Sequence, residues 1–260
     1  MQITILGSGP SSGVPGIGIG WGNCDPKHKK NKRLRPSILI KSNDTTILID
    51  TSPDLRHQLL HSDIHRLDAV MYTHAHADHL HGIDDLRGIN RAMNAPLDIY
   101  ANAETLALIA QRFPYTLTPL NKKAKVYYKP VLTPHEIIPG CNFSIANIEI
   151  QAFDQDHGFS STLGFRFGNL AYTTDLIGLT EETFVLLEGV HTWIIGVFSD
   201  GPHPTHINVD TALNWRNRIN PQRMVMTHLG PSLDYNALLQ RLPEGAEPAY
   251  DFMTINVPET

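Results

Sequence analysis

Two cysteines in 260 residues, Cys24 and Cys141, leave no disulfide framework and suit a reducing compartment. No apolar run approaches the length that spans a bilayer. The first six residues enter directly on a strand pattern, without the basic and apolar stretches of a secretory signal, so a cytoplasmic location is expected. An excess of positive charge is also missing. With 21 Lys and Arg against 26 Asp and Glu the net charge is −5, and no global basic field argues for a nucleic-acid partner. An apolar fraction of 41% is enough for a full core, and the length suits one large domain or two small ones.

Histidine, by contrast, is plentiful at 14 residues, and its densest stretch organises the chain. His74-Ala-His-Ala-Asp-His79 follows the apolar run 67–73, which places three imidazoles and the Asp78 carboxylate at the end of a buried strand. His74 and His76 lie on one side of an extended segment, while Asp78 and His79 turn toward a second point as a helix begins. A single ion takes four ligands at most with one position open, so four donors in two directions point to two metals. A threonine followed by a metal-type donor recurs past short apolar strands at Thr73-His74, Thr174-Asp175 and Thr227-His228. Catalytic groups of α/β folds gather at the carboxyl ends of strands, so distant segments would meet at one edge. Asp50, closing another strand, is placed either to orient a metal-bound histidine or to cap the next segment.

The rest is read from periodicity and turn residues. Residues 7–20 hold too many Gly and Pro for a helix. Gly7, Gly9 and Gly13 have the wrong spacing for a dinucleotide fingerprint, so a loop over an active site is expected. Lys27, Lys29, Lys30, Lys32, Arg33 and Arg35 crowd the next segment, either as a solvated loop or as phosphate contacts. An edge or surface strand is predicted over 2–6, and a hairpin over 37–41 and 46–50 turning at Asn43-Asp44. Helices are predicted from Ser52-Pro53 onward and over 101–113. Residues 114–140 resist assignment apart from a short strand over 125–129. Further strands are expected over 145–153, 163–167, 170–173, 193–198, 223–227 and 249–257, with helices over 180–188, 210–219 and 234–242.

His74-x-His76-x-Asp78-His79, followed in order by His157, Asp175 and His228, resembles the ligand set of the metallo-β-lactamase-fold hydrolases. The strand 46–50 resembles that family's L-I-D segment. The resemblance implies an α/β protein with a four-layer αβ/βα sandwich, in which two mixed sheets pack face to face with helices outside, as one domain over 1–260. It also implies two divalent metal ions, Mn²⁺ or Zn²⁺, because the donors are imidazole and carboxylate without thiolate. One ion would take His74, His76 and His157, the other Asp78, His79 and His228, with Asp175 shared and a bridging hydroxide as nucleophile.

The Gly-rich opening, Trp21-Gly-x-Cys24 and His203-Pro-x-x-His206 look like the branch that contains the phosphoribosyl 1,2-cyclic phosphate phosphodiesterase. The expected activity is therefore hydrolysis of small cyclic phosphates, of the phosphoribosyl or cyclic-nucleotide type. Asp78 and His206 are the catalytic candidates, His206 as acid on the leaving oxygen or as donor to the phosphoryl group. His203, Arg33 and Arg35 are the substrate-binding candidates, the arginines because a guanidinium holds phosphate through two bonds. Where that phosphodiesterase carries a cysteine cluster for a structural zinc, this sequence has Cys24 with Asn23, Asp25 and His28, so no third metal is expected.

Two rival readings use the same residues. One is hydrolysis of a carbon ester, thioester or lactone, and the other a non-catalytic metal-binding protein. The unbroken ligand set argues against the second rival, and His203-Pro-Thr-His206 favours phosphate over the first. Processing of transfer-RNA 3′ ends would want an extended basic arm, for which 114–140 is a poor candidate. The expected partner is a small phosphorylated substrate, with no membrane, no strong nucleic-acid signal and a homodimer left open.

Overall fold

Alternation along the strands decides the layers. Ile38, Ile40, Ile47 and Ile49 belong to one buried cluster, while Leu39 and Leu48 between them belong to another. Period-two side chains thus give one strand two apolar faces, and each face needs its own cover. A computed structural model, describing residues 1–258, shows what covers them.

The chain forms β1 (Gln2–Gly7), β2 (Ser37–Ser42), β3 (Thr45–Ile49), α1 (Leu55–His61), β4 (Ala69–Met71), α2 (Ala77–Leu80), α3 (Leu86–Met93), β5 (Leu97–Ala101), α4 (Ala103–Arg112) and β6 (Leu132–Glu136). It continues through β7 (Asn142–Ile145), β8 (Ile148–Asp156), β9 (Ser161–Phe167), β10 (Leu170–Thr173), α5 (Glu181–Leu187), β11 (Thr192–Gly196), α6 (Val209–Ile219), β12 (Arg223–Thr227), α7 (Tyr235–Arg241), β13 (Ala246–Pro248) and β14 (Met253–Asn256). Two seven-stranded sheets result, in the orders β14-β1-β2-β3-β4-β5-β6 and β13-β12-β11-β10-β9-β8-β7. Each is mixed: β3 to β6 and β10 to β13 run parallel, and the remaining pairs are antiparallel.

One core lies between the sheets, where Ile5, Ile40 and Ile49 share a cluster with Phe165, Tyr172 and Val225. A second joins Leu39, Leu48 and Val70 to Leu55, Leu86 and Ile109 of the flanking helices. The third joins Trp193, Ile195 and Met224 to Phe184, Leu187 and Ala212. The arrangement is the four-layer sandwich expected, two mixed sheets with helices outside. Among the described residues no helix is long and apolar enough to cross a membrane.

Several boundaries differ from the sequence reading. β1 is not at an edge; it lies between β14 and β2, and its alternation reflects a half-polar face. The strand expected over 145–153 is two, turning at Ala146, whose φ is 50°. The closing strand expected over 249–257 is shorter, β14 over Met253–Asn256 in the first sheet, and it is preceded by β13 in the second sheet, which the periodicity did not suggest, so the chain end crosses between sheets. No strand forms over 125–129; the edge strand is β6, which carries Pro134 where a missing N–H costs least.

The first helix begins at Leu55 rather than at Ser52-Pro53, and its N-cap residue Asp54 makes no side-chain capping bond, its carboxylate being engaged elsewhere. It accepts Arg35 N at 2.9 Å, Nε at 2.8 Å and a terminal nitrogen at 2.6 Å, locking the entry to β2 onto the start of α1. Arg35 is therefore a structural cross-link and not a free phosphate ligand. Burial alone would raise the Asp54 pKa, but the bonds from Arg35 hold it below the usual carboxylate range. A carboxyl with a depressed folded pKa lends stability above its unfolded value near ~4, and loses it as pH falls through the folded value. Arg35→Ala should cost about 1–2 kcal/mol at pH 7 in urea denaturation, with the deficit shrinking on acidification and KM unchanged. A raised KM with unaltered stability would return Arg35 to substrate binding.

Candidate metal centre

The site is assembled where parallel strands end. Past β3, β10 and β12 the backbone breaks into the left-handed region at Asp50 (φ 64°), Asp175 (φ 51°) and His228 (φ 57°). None of the three is glycine, so each turn carries backbone strain that the surroundings must overcome. The turn at Asp175 is held by Thr162, whose hydroxyl donates to the Asp175 carbonyl at 3.0 Å, and by Gln155, which donates to the Thr174 carbonyl at 2.9 Å. His74 and His76 lie in the extended segment after β4, and Asp78 and His79 sit in the first turn of α2.

Seven side chains converge there. His74, His76, His157 and Asp175 form one group and Asp78, His79, His228 and Asp175 another, with the candidate donor atoms in each within 4.8 Å of one another. Asp175 divides its carboxylate between them. Its Oδ2 lies 3.8 Å from His74 Nε2 and 3.9 Å from His157 Nε2. Its Oδ1 lies 3.4 Å from His79 Nε2 and 3.2 Å from His228 Nε2. Asp78 Oδ2 stands 3.4 Å and 3.6 Å from the same two rings. Donors about 2.1 Å from a tetrahedral ion stand roughly 3.4 Å apart, so the spacing fits a metal in each group. The atoms also lack other partners: His74 Nε2, Asp78 Oδ2, His79 Nε2 and His228 Nε2 are buried without a hydrogen bond. Orphans of this kind need an explanation, and a divalent cation supplies one.

The surroundings fix which ring nitrogen is free. Asp50 Oδ2 accepts from His79 Nδ1 at 2.6 Å, and the same carboxylate accepts the Thr73 N–H and hydroxyl, each at 2.8 Å. Thr73 Oγ1 in turn receives His74 Nδ1 at 3.0 Å. His157 Nδ1 donates to the Thr205 carbonyl at 2.7 Å. A proton on each Nδ1 leaves the Nε2 lone pair facing the cluster, as a ligand requires. Asp50 thus orients His79 and does not cap a helix.

Electrostatics agree with a ligand role. Burial alone would raise Asp175, but His228 and His79 hold it well below the usual carboxylate range. Asp78 is likewise held low against burial, chiefly by His79. Burial keeps His74 and His157 below the ordinary histidine value, and so neutral. His79 is the exception. Despite burial, the carboxylates of Asp175, Asp78 and Asp50 keep it well above that value.

The clusters floor a cleft of about 400 Å³ that also includes Ser11, Phe159, Ser160, His203, Thr205 and His206. The His206 ring centroid lies 4.9 Å from that of His228 and 5.0 Å from those of His157 and His203. Ser11, Phe159, Ser160 and Thr205 were not singled out by the sequence reading. Ser11 belongs to the Gly-rich loop expected over the site. Phe159 and Ser160 follow Gly158, whose φ of 78° and close approach to the Pro204 carbonyl pin the turn after His157.

The basic loop does not reach the cleft. Arg33 is only 2% exposed and points into the protein, and Lys30 stacks over the Tyr235 and Tyr250 rings at 4.4 and 4.0 Å. Neither Arg33 nor Arg35 lines the cleft, which corrects both substrate-binding assignments. Cys24 is buried, donating to the Leu233 carbonyl at 3.4 Å, and joins neither group of candidate ligands.

A family model described as the beta-lactamase superfamily domain matches residues 45–229. The solved structure of a diphosphatase from the PhnP family aligns with a TM-score of 0.90 at 29% identity, covering 99% of this chain and 98% of that one. Among curated proteins, an octanoyltransferase of Porphyromonas gingivalis is 32% identical over 254 residues, 96% of this chain and 50% of its own. A ribonuclease Z of Anoxybacillus flavithermus is 28% identical over 170 residues, 64% of this chain and 47% of its own. The chain spans about half the length of these curated relatives. Sheet order, convergent His and Asp side chains and the match across most of the sequence lead to one assignment: the chain belongs to the beta-lactamase superfamily, with a metallo-β-lactamase fold that resembles the PhnP branch.

Proposed function

We propose that this protein is a dinuclear phosphodiesterase that hydrolyses small cyclic phosphates. The observation that carries the reading is the division of the Asp175 oxygens between two ligand groups, opposite a wall containing His203 and His206. The likeness to a PhnP-family diphosphatase and to a ribonuclease Z supports phosphate over carbon chemistry. His74, His76, His157 and Asp175 would hold one ion, and Asp78, His79, His228 and Asp175 the other. Held there, two divalent ions, Mn²⁺ or Zn²⁺, would supply a water nucleophile ionised near neutral pH and would neutralise charge on phosphoryl oxygens.

The chain's own groups position and protonate. Asp50, Thr73 and the Thr205 carbonyl keep the ligand rings in the correct tautomer. Burial, and secondarily His228, hold the His206 pKa down to about 3, so its ring is neutral before substrate arrives. A neutral ring donates one N–H to a phosphoryl oxygen. An anionic substrate beside it raises its pKa and lets it carry the proton that the leaving alkoxide needs.

Hydrolysis of a carbon ester, thioester or lactone has one observation in its favour, the octanoyltransferase relative. The cleft answers it poorly, since among the described residues Phe159 is the one large apolar side chain along its wall. An assay panel on metal-loaded protein decides: a cyclic ribose phosphate, a 2′,3′-cyclic nucleotide, a nucleoside diphosphate, bis-p-nitrophenyl phosphate, a thioester and a lactone. Turnover should be confined to phosphates, abolished by chelation and restored by Mn²⁺ or Zn²⁺. Hydrolysis of the thioester or lactone alone would overturn the reading.

Asp175→Ala should weaken both ions together, seen as parallel losses in calorimetric titration, because one carboxylate serves both. Loss of one ion with the other intact would mean the carboxylate is not shared. His206→Ala should retain its full metal content and lose about 10²- to 10⁴-fold in kcat on alkoxide-leaving substrates, with a smaller loss on p-nitrophenyl diesters. Equal losses on both would mark His206 as a phosphoryl-oxygen donor. Loss of a metal would make it a ligand.

A further inference from the structure

Arg33 is among the largest fully buried side chains, and no carboxylate of the described residues lies within ion-pair distance of it. Burial lowers its pKa, against the more distant charges of Asp251 and Asp234, yet a guanidinium keeps its proton in proteins, so a cation is held inside the fold with neutral groups as its direct acceptors. Those acceptors are concentrated in one stretch of chain. One terminal nitrogen donates to the carbonyls of Leu229 at 3.2 Å and Gly230 at 3.1 Å, and lies 3.7 Å from Cys24 Sγ. The other donates to the Leu233 carbonyl at 2.6 Å and to Asn31 Oδ1 at 3.3 Å. The planar fork therefore clamps residues 229–233, which begin immediately after the candidate ligand His228.

His228 differs from its buried neighbours. The rings of His74, His79 and His157 are each fixed through Nδ1, by Thr73, Asp50 and the Thr205 carbonyl. Neither nitrogen of His228 has a hydrogen-bond partner. With no hydrogen bond on the ring, its aim depends on the backbone, which at His228 is left-handed and strained, and on the stacked His206 ring. Backbone bonds hold the following residues from the other side: Leu229 N donates to the Ser8 carbonyl at 2.8 Å, and Gly230 N to the Phe198 carbonyl at 3.0 Å. Arg33 closes this grip on the carbonyls.

We infer that Arg33 is a positioning residue for the second metal group, aiming His228 through its backbone in place of the side-chain partner that the other buried ligands have. The inference rests on the dinuclear reading above but does not depend on the substrate. A lysine cannot reproduce it fully, because a single ammonium lacks the fork that meets three carbonyls.

The test is calorimetric titration of metal-free protein with Zn²⁺, comparing wild type, His228→Ala, Arg33→Met and Arg33→Lys. Arg33→Met should weaken the same ion that His228→Ala weakens, by about 10- to 100-fold, while the other ion binds as in wild type. Its half-activating metal concentration should rise by the same factor, and kcat at saturating metal should recover, which it should not in His228→Ala. A merely structural arginine would lower thermal stability without moving either metal constant, and that result overturns the proposal. Should Arg33→Met fail to fold, Arg33→Lys decides: weakened binding at the same ion supports the assignment, and wild-type binding at both ions overturns it. Failure of both variants to fold, with metal present, would make Arg33 a requirement of the whole fold and likewise overturn it. A wild type that hydrolyses no phosphate ester would sink the functional reading alone, since the titrations need no substrate.

Discussion

A buried carboxylate that must stay ionised and serve two groups of ligands sets the terms for the surrounding structure. Asp175 is 3% exposed and lies within 4 Å of four imidazoles. An isolated charge at that depth would take up a proton instead, so the neighbouring rings are what keep it a carboxylate. Position matters as much as charge. A shift of half an ångström would favour one group over the other, and the Thr174 hydroxyl bonding Oδ1 at 2.8 Å opposes it.

Delivering those groups to one place explains the architecture. Each sheet changes from antiparallel to parallel partway across, and the parallel halves end toward the same cleft. Helical crossovers return the chain so that successive strands point the same way, which brings residues 50, 74, 175 and 228 together from far apart in sequence. At three of those ends the backbone turns through a left-handed residue that is not glycine. The strain persists because the side chain at that point is required, and hydrogen bonds from neighbouring strands over-determine the turn.

Much of this was legible in the sequence, for physical reasons. Ligand residues are polar groups placed where apolar periodicity breaks off, so His74, Asp175 and His228 stand out against the strands they follow. The hairpin 37–50 announced itself through its Asn-Asp turn, and the helices from Thr180 and Asp234 through their caps. Three things were illegible. Alternation counts apolar positions without saying where a strand starts to pair, so β13 went unread and the closing strand was read from Ala249 instead of Met253. Pattern also says nothing of pairing, and β1 read as an edge. The basic loop misled for a third reason. A cation in sequence looks solvated or ready for phosphate, and only tertiary context shows that Arg33 is buried against carbonyls and Arg35 bound to Asp54.

The fate of those cations bears on how an anionic substrate could be held at all. Among the described residues no Lys or Arg lines the cleft; its carboxylates are Asp78 and Asp175, with histidines of which His157 and His206 are held neutral. Without metal, the floor of the cleft carries ionised carboxylates that repel a phosphate, offset in part by the charge on His79. Two divalent cations, as proposed, would reverse that sign, and the hydroxyls, backbone and neutral rings of the wall would then add direction to the attraction. On the proposed function, affinity for a phosphate substrate would be linked to occupancy of the metal groups. The device that aims His228 would consequently bear on substrate binding without touching the substrate.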